Sequence, residues 1–232
     1  MRKVLLIAAL LLAGATASFA QFHLGGGYYG ELRGSTYKAQ NTKYSSRGWL
    51  NGFYVGGSYN IALSDIGLGL APGAYFSFVG GFDWLEPIHF ADIWGWDWGY
   101  VHRTAIDLPV HVTYSHELGP GTIFGYAGPS FNVGLGYKCR VNNWDDGEGN
   151  YSRTIFNYYK RSDKVADLGW YRRLDCKIGF GAGYRWEHLA AEVGWEFGVI
   201  NQFSRYYRQD YEIPNKAKSH IHSFHFGVAY VF

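Results

Sequence analysis

Hydrophobic and polar residues alternate with a period of two along most of the chain after residue 21, and the C-terminus shows this best. Across 223–232, the even positions carry Phe, Phe, Val, Tyr and Phe, whereas the odd positions carry Ser, His, Gly, Ala and Val. Successive side chains of a β-strand point to opposite faces. This pattern therefore predicts a final strand with one strongly apolar face and one small or polar face.

Eight segments show this alternation, which predicts an all-β chain of eight strands. The segments are approximately 22–32, 49–63, 68–82, 105–115, 122–141, 173–186, 189–199 and 223–232. Within the fifth segment, Gly128 and Pro129 interrupt the phase. We predict a β-bulge there, because both residue types mark irregularities in strands.

The connections between the predicted strands alternate between long and short. The short ones are near 64–67, 116–121 and 187–188, and the long ones are near 33–48, 83–104, 142–171 and 201–220. A water-soluble sandwich could also bury the apolar faces. However, long loops at one end and short turns at the other are typical of outer-membrane barrels. We therefore predict an eight-stranded antiparallel up-and-down transmembrane β-barrel with four long external loops.

The N-terminus has the features of a targeting segment. Arg2 and Lys3 precede an apolar run over 4–13, and small residues follow as far as Ala20. The run has about half of the ~20 residues that a spanning helix needs, so we predict a secretory signal peptide at 1–20 rather than an anchor. The barrel domain then covers 21–232. Cleavage removes two of the 21 bases and none of the 19 acids, so the mature protein has no net charge.

Composition agrees with a barrel and excludes several other classes. The chain has 32 Gly but only 6 Pro, and 19 % of its residues are aromatic. Without a G-x-y period this is not a collagen-like sequence, and a hydrophobic content of 47 % is too high for disorder. Since a formal charge of +2 provides no strongly basic face, we predict no nucleic-acid partner, and no motif indicates a cofactor.

Three stretches carry a family resemblance. They are LPVHVTYSHELGPGTIFGYAGPSFNVGLG at 108–136, DCKIGFGAGYRWEHLAAEVGWEFGVINQ at 175–202 and HSFHFGVAYVF at 222–232. With Pro109, the Gly128-Pro129 pair and Phe232, they resemble the small outer-membrane β-barrel domain family of Gram-negative bacteria, often labelled porin family. Tyr126 stands one residue closer to Gly128 than in the family pattern, and 33–48 and 83–104 match nothing in it.

The resemblance implies an eight-stranded barrel of the outer membrane. It also implies insertion by the outer-membrane assembly machinery, which reads the last strand, so Phe232 is the expected insertion signal. It implies little chemistry, because the label porin does not establish a pore and some relatives look like secretion-system assembly factors.

The predicted inward positions carry equal numbers of acids and bases, which predicts a packed interior. The acids are Glu31, Asp107, Asp175, Glu192 and Glu196, and the bases are Lys138, Arg140, Arg173, Lys177 and Arg185. Buried charges need partners, whereas a selective pore favours rings of one sign. Glycines on the inner face of the sixth strand leave space for the long side chains. A narrow channel is the alternative.

The sequence offers no convincing catalytic or metal site. Asp107, His111 and Ser115 share one face of a strand, but four residues separate neighbours by about 13 Å, too far for a hydrogen-bonded triad. His220 and His222 lack an identifiable third ligand. We therefore predict a protein that is neither an enzyme nor a metal protein.

Two cysteines fall at predicted outward positions of neighbouring strands, near the external end. Cys139 and Cys176 could form a disulfide in an oxidising compartment, or they could remain two small lipid-facing residues. The sequence leaves both possibilities open.

The predicted external loops are electrically uneven. Bases concentrate in the first and last loops, at Arg33, Lys38, Lys43, Arg47, Arg205, Arg208, Lys216 and Lys218, whereas 83–104 is mostly acidic. We predict that this basic loop patch contacts lipids and lipopolysaccharide phosphates by charge-assisted hydrogen bonds. Ordinary solvated loops would show the same residues.

The loop over 83–104 also contains Trp84, Trp94, Trp96 and Trp98. Such a loop can belong to the aromatic belt at the membrane interface, or it can bind a ligand or partner. From all these features we predict a non-enzymatic outer-membrane barrel with a structural or surface-interaction role. A narrow porin is the first alternative, and a secretion assembly factor or ligand-binding surface protein is the second.

Overall fold

Nine strands make up the described part of the chain. The computed structural model describes residues 20–39, 42–82, 98–144, 151–162, 167–205 and 217–232. The strands are β1 (Ala20–Ala39), β2 (Thr42–Ala62), β3 (Leu68–Phe82), β4 (Trp98–Leu118), β5 (Gly121–Trp144), β6 (Tyr151–Asn157), β7 (Leu174–Trp186), β8 (Leu189–Gly198) and β9 (Lys218–Val231). Within these residues, no helix is long and apolar enough to span a membrane.

Eight of these strands close into an antiparallel barrel, which confirms the predicted fold class. Each strand pairs with the next along the chain, β5 pairs with β7, and β9 returns to pair with β1 from His23 opposite Val231 to Thr36 opposite Lys218. The short strand β6 is additional: it pairs with the upper part of β5. Closure leaves no sheet edge without a partner along the barrel wall.

The first predicted external loop is wrong, because 33–48 is mostly strand. β1 and β2 stay paired up to Ala39 opposite Thr42, so they form one long hairpin. Similarly, β4 begins at Trp98, inside the predicted second loop, and β6 lies inside the predicted third loop. A polar hairpin that projects into water has no buried face, so it shows no hydrophobic alternation and the sequence pattern cannot reveal it.

The three short connections at the other end agree with the prediction. They join β2 to β3, β4 to β5 and β7 to β8. Gly67 and Gly119 have φ values of +88° and +62°, which a glycine adopts without steric cost. The long segments therefore all belong to the opposite end, which we call the external end.

The outer wall of the barrel is apolar and the inner wall is polar, which is the reverse of a soluble protein. Large hydrophobic side chains remain about half exposed along the outward positions of the strands. Examples are Phe53 (48 %), Val112 (49 %), Phe131 (50 %), Phe180 (52 %) and Val228 (60 %). No described part of the chain covers this surface, so it requires an apolar surrounding.

A β-bulge at Leu135 changes which side chains point inward in the upper part of β5. Thr104 pairs with Gly136 and Ala105 pairs with Gly134, so Leu135 is the extra residue. Even positions point inward up to Gly134, and odd positions do so above the bulge. The bulge predicted at Gly128 and Pro129 is wrong, since both keep a continuous register with β7.

Candidate functional site in the barrel interior

The barrel interior has three zones, and the first is a charged layer below the external end. Arg103 on β4 is 2 % exposed and Glu31 on β1 is fully buried. The Arg103 guanidinium donates hydrogen bonds to Glu31 and Asn132, and its Nε donates to the Tyr159 hydroxyl at 2.8 Å. The Arg33 guanidinium lies 3.7 Å from Glu31. Glu31 therefore has two cationic neighbours.

The second half of this layer is centred on Lys177 of β7, which is fully buried. Its ammonium group donates to the Tyr29 hydroxyl at 2.9 Å, to the Ser223 hydroxyl at 2.6 Å and to Glu196 at 3.3 Å. Asp107 lies 3.8 Å from the same nitrogen. Three donors of an ammonium group thus have three partners inside the barrel.

A buried asparagine joins the two halves into one network. Asn132 accepts a hydrogen bond from Arg103 through its amide oxygen and donates one to Asp107 through its amide nitrogen. Asp107 also accepts from the Ser77 hydroxyl at 2.6 Å. The network therefore reaches from β1 across to β9, and we call it the charged layer.

The five predicted inward acids all lie in the interior. Glu31, Asp107, Asp175 and Glu196 are buried, and half-buried Glu192 accepts a hydrogen bond from the Tyr54 hydroxyl at 3.0 Å. Of the predicted bases, Lys177 and Arg185 also lie inside. Arg185 donates to Gln21 and, at 3.3 Å, to Thr122, close to the end with the short turns.

Two predicted interior bases lie outside, and a third lies exposed beside the external end of β7. Lys138 and Arg140 are exposed because the Leu135 bulge inverts the phase of β5 above it. Arg173 is also exposed, and it donates to the carbonyl oxygens of Gly134 and Leu135 at 3.1 Å each.

Two other bases take their place inside. Arg33 was predicted to belong to the basic loop patch, but this residue is buried and its guanidinium lies 4.2 Å from the centre of the Tyr137 ring. Arg103 was missed, because it fell in a predicted loop. It shares the odd-numbered inward phase of Asp107, so extending the predicted strand at 105–115 upwards by two residues would have found it.

The second zone is an aromatic cap at the external end. Tyr137, Tyr158, Trp170, Tyr171 and Phe203 are all buried. The ring of Tyr137 lies 4.4 Å from that of Tyr158 and 5.0 Å from that of Tyr171, and the Tyr171 ring lies 5.6 Å from that of Phe203. These rings come from β5 and from the segments that follow β6 and β8. They lie over the charged layer on the side of the external end.

The third zone is a cavity of about 90 Å³ between the charged layer and Arg185. Tyr126 stacks on His111 with ring centres 4.9 Å apart, and its hydroxyl lies 2.7 Å from Nε2 of His225. A Cβ atom at Gly194 would lie only 2.5 Å from that same nitrogen, so a glycine is needed for the close approach of His225. Nε2 of His111 is buried without a hydrogen-bond partner among the described residues.

The structure does not assemble a triad from Asp107, His111 and Ser115. All three border the cavity, but Asp107 is bonded to Ser77 and Asn132, and the His111 ring stacks on Tyr126. Within the described residues, no cluster of three His, Cys, Asp or Glu side chains could hold a metal ion.

The predicted loop residues are only partly described. Arg47, Arg205 and Lys218 are exposed. Lys38 and Lys43 lie in β1 and β2, and Trp98 begins β4. Arg208, Lys216, Trp84, Trp94 and Trp96 lie outside the described residues, as does the predicted signal peptide up to residue 19.

The possible disulfide is excluded by the arrangement of the two cysteines. Cys139 lies above the bulge and is buried inside, whereas Cys176 is paired with Phe131, eight residues further down β5, and points outward. Both side chains are present as thiols. The terminal Phe232 is exposed on the outer wall, where its ring lies 4.8 Å from that of Tyr230, and its N–H donates to the Phe22 carbonyl at 2.9 Å.

Comparisons with known proteins find similarity only at the level of structure. No family model matches the chain, and no curated protein sequence matches it. It is similar to the attachment invasion locus protein Ail of Yersinia pestis, crystallised with the heparin analogue sucrose octasulfate, at 10 % identity and a TM-score of 0.34 over 90 % of this chain and 99 % of that one.

Two further solved structures are similar. Neisserial surface protein A is 10 % identical, with a TM-score of 0.35 over 90 % of this chain and 96 % of that one. A major outer membrane protein of Thermus thermophilus is 14 % identical, with a TM-score of 0.40 over 92 % of this chain and 99 % of that one. The barrel fold itself is established by the strand pairing described above.

Proposed function

We propose that this protein is an integral outer-membrane barrel whose interior is closed and whose external surface performs its specific role. The observation that carries the proposal is the charged layer with the aromatic cap above it. Together they fill the external half of the interior with side chains that are bonded to one another. Because the interior is closed, the proposed function depends neither on a channel nor on a catalytic centre inside the barrel, but on the external surface.

The apolar outer wall supports the membrane location. On β5, the outward side chains from Ile123 to Leu135 are apolar or glycine. These twelve steps of about 3.3 Å, at the usual tilt of about 40°, rise roughly 30 Å, which is enough to cover an apolar band of about 25 Å. The predicted signal peptide at 1–20 and the predicted insertion signal at Phe232 agree with export and insertion from the periplasm.

The pairing of interior charges argues against a selective pore. Glu31 lies beside Arg33 and Arg103, and Lys177 lies between Asp107 and Glu196. An ion pathway would need rings of one sign or a water-filled passage. An eight-stranded barrel has room for little more than its own side chains, and here these side chains form bonds across the lumen.

Planar-bilayer recording tests the closed interior. We expect the purified, refolded protein to give no steady steps of nanosiemens size. A matched variant with Glu31→Ala, Arg103→Ala and Tyr137→Ala removes part of both closing zones, so it should give small steps and thereby show that the assay detects inserted barrels. Sustained nanosiemens steps from the unaltered protein would establish the narrow porin instead.

The long β1–β2 hairpin is the described external element best placed for surface interaction. It continues from Arg33 to Gly48 as paired strand with Ser45 and Arg47 exposed. We expect a deletion of 35–46 with a two-residue turn to leave the barrel folded. Loss of surface binding or of secretion in this deletion, or in one of 86–96, would distinguish a ligand-binding protein from an assembly factor.

A further inference from the structure

The Leu135 bulge places two basic side chains on the outer wall of the barrel, and a third base lies beside the bulge. Lys138 and Arg140 follow the bulge on β5 and are exposed. Arg173, which precedes β7, approaches the same point from the neighbouring side, because its guanidinium bonds the carbonyl oxygens of Gly134 and Leu135. Lys138 and Arg140 thus stand about 5 Å apart in height on the outer wall, and Arg173 lies beside the bulge below them. We call these three bases the basic collar.

Arg173 is held in place by the bulge. Its NH1 donates to both carbonyl oxygens at 3.1 Å, and its guanidinium lies 5.1 Å from the centre of the Tyr159 ring. These two hydrogen bonds use only one of the three nitrogens of a guanidinium, which has five N–H donors. Arg173 is therefore oriented by the protein and still has donors for a ligand.

The basic collar lies directly above the apolar wall. Leu135 and Phe131 on β5 and Leu174 on β7 are outward, apolar and at least 48 % exposed. Lys138 is three residues above Leu135, which corresponds to a rise of roughly 8 Å along a tilted strand. The polar headgroup region of a bilayer is about 5–8 Å thick on each side of the hydrocarbon core, so Lys138 lies at the height of the headgroups and Arg140 lies just above them.

The neighbours of the collar that the structure describes do not neutralise it. The register places His102 and Asn157 on either side of Lys138, and Tyr100 beside Arg140. Asp167 is bridged to Asn157, and it already lies 3.2 Å from Lys160. Among the described residues, Lys138, Arg140 and Arg173 form no ion pair.

We propose that the basic collar binds the phosphate groups of the phosphorylated glycolipid in the outer leaflet. Guanidinium groups match phosphate oxygens in pairs of parallel hydrogen bonds, and an ammonium group adds a point charge. This inference rests on the proposed outer-membrane location, and it moves lipid recognition from the predicted basic loop patch to the opposite strands of the barrel.

Lipid retention measures the binding. The protein is refolded into phosphatidylcholine vesicles that contain either bisphosphorylated lipid A or its dephosphorylated form, and the glycolipids kept after detergent extraction are counted by native mass spectrometry. We expect the unaltered protein to retain about tenfold more of the phosphorylated lipid, which corresponds to about 1.4 kcal/mol. The double variant Lys138→Gln, Arg140→Gln should retain both forms equally.

Two controls separate the collar from other causes. Arg47→Gln removes one exposed base of the basic loop patch and should keep the tenfold preference. Arg173→Lys keeps the charge but not the planar donor pair, and we expect an intermediate preference. The heat-dependent gel mobility of each variant shows whether it is folded, so a misfolded variant does not count as a loss of binding.

Three results would overturn the inference. They are equal retention of both lipids by the unaltered protein, an undiminished preference in the double variant, and a preference lost only in Arg47→Gln. Insertion into plain phosphatidylcholine vesicles is measured separately. A protein that fails to insert contradicts the proposed function, whereas one that inserts without phosphate preference contradicts only the collar.

Discussion

At the scale of single residues, the interior is stabilised by charges that have partners from several strands. Arg103 is bonded to Glu31 of β1, Asn132 of β5 and Tyr159 beyond β6. Removing one member of a buried pair leaves the other without compensation, and this typically costs about 3–5 kcal/mol. Such residues therefore matter more to the closure of the lumen than the exposed bases do.

Arg103→Met tests this interpretation. We expect the free energy of unfolding in detergent, measured by urea titration with tryptophan fluorescence, to fall by about 3 kcal/mol. The reason is that Glu31 keeps only the more distant Arg33, while Asn132 and Tyr159 each lose a hydrogen bond.

Two comparison variants make the test specific. Arg47→Met removes an exposed charge and should change the free energy by less than about 0.5 kcal/mol. Adding Glu31→Leu to Arg103→Met should recover part of the loss, because the uncompensated carboxylate is gone. A loss of equal size in Arg47→Met would contradict the assigned role of Arg103.

At the scale of elements, the decisive feature is one extra residue in β5. Below Leu135, small or polar side chains such as Asn132 point into the lumen, and apolar ones such as Phe131 point to the outside. Above Leu135, Tyr137 and Cys139 lie inside while Lys138 is exposed. A shift of one residue exchanges the two faces of a strand. The apolar side chains of β5 therefore point outward below the bulge and inward above it, as they do in a water-soluble protein.

Thiol labelling shows directly which side chains of β5 above the bulge point inward and which point outward. In Cys176→Ala, the remaining Cys139 should react slowly with a water-soluble maleimide while the protein is folded, because its side chain is 2 % exposed. The triple variant Lys138→Cys, Cys139→Ala, Cys176→Ala has its only thiol at the neighbouring position 138. This thiol should react at least tenfold faster than Cys139 does in Cys176→Ala. Similar rates after unfolding in urea provide the control, and the opposite order in the folded state would mean that the bulge is absent.

At the scale of the whole molecule, closure brings the two ends of the barrel chain together. His23 pairs with Val231, and Phe232 donates its N–H to the carbonyl oxygen of Phe22. The turn at Gly119 and Pro120 lies at the same end of the barrel as this junction. Because the barrel is a ring, its stability should not depend on which turn is opened.

A circular permutant separates folding from assembly. Joining Phe232 to Gln21 and opening the chain between Gly119 and Pro120 preserves every barrel pairing except that of Ala20 with Ile61. We therefore expect refolding in detergent, with an unfolding free energy within about 2 kcal/mol of the original. In cells, we expect the permutant behind the predicted signal peptide to fail to insert, because the predicted insertion signal, Phe232, is no longer terminal. Normal insertion would exclude Phe232 as that signal.

Much of the fold was predictable because lipid and lumen impose opposite polarity on alternate residues. The phases of 105–115, 173–186 and 189–199 follow from this, and they placed Asp107, Lys177 and Glu196 inside correctly. Arg103 and Arg33 were not found, since the strands continue beyond the membrane, where water on the outside removes the requirement for an apolar outer face.

The sequence by itself determined that this chain is all-β, that alternate faces are apolar, and that the long segments belong to one end. Only the tertiary structure decided the phase of β5 above Gly134. There the odd positions Leu135, Tyr137 and Cys139 continue the apolar series without a break, so the alternation looks continuous, and only the register against Thr104 and Ala105 reveals the extra residue. The physical reason is that the polarity rule reverses at the membrane boundary: apolar side chains face lipid below it and face the cap above it.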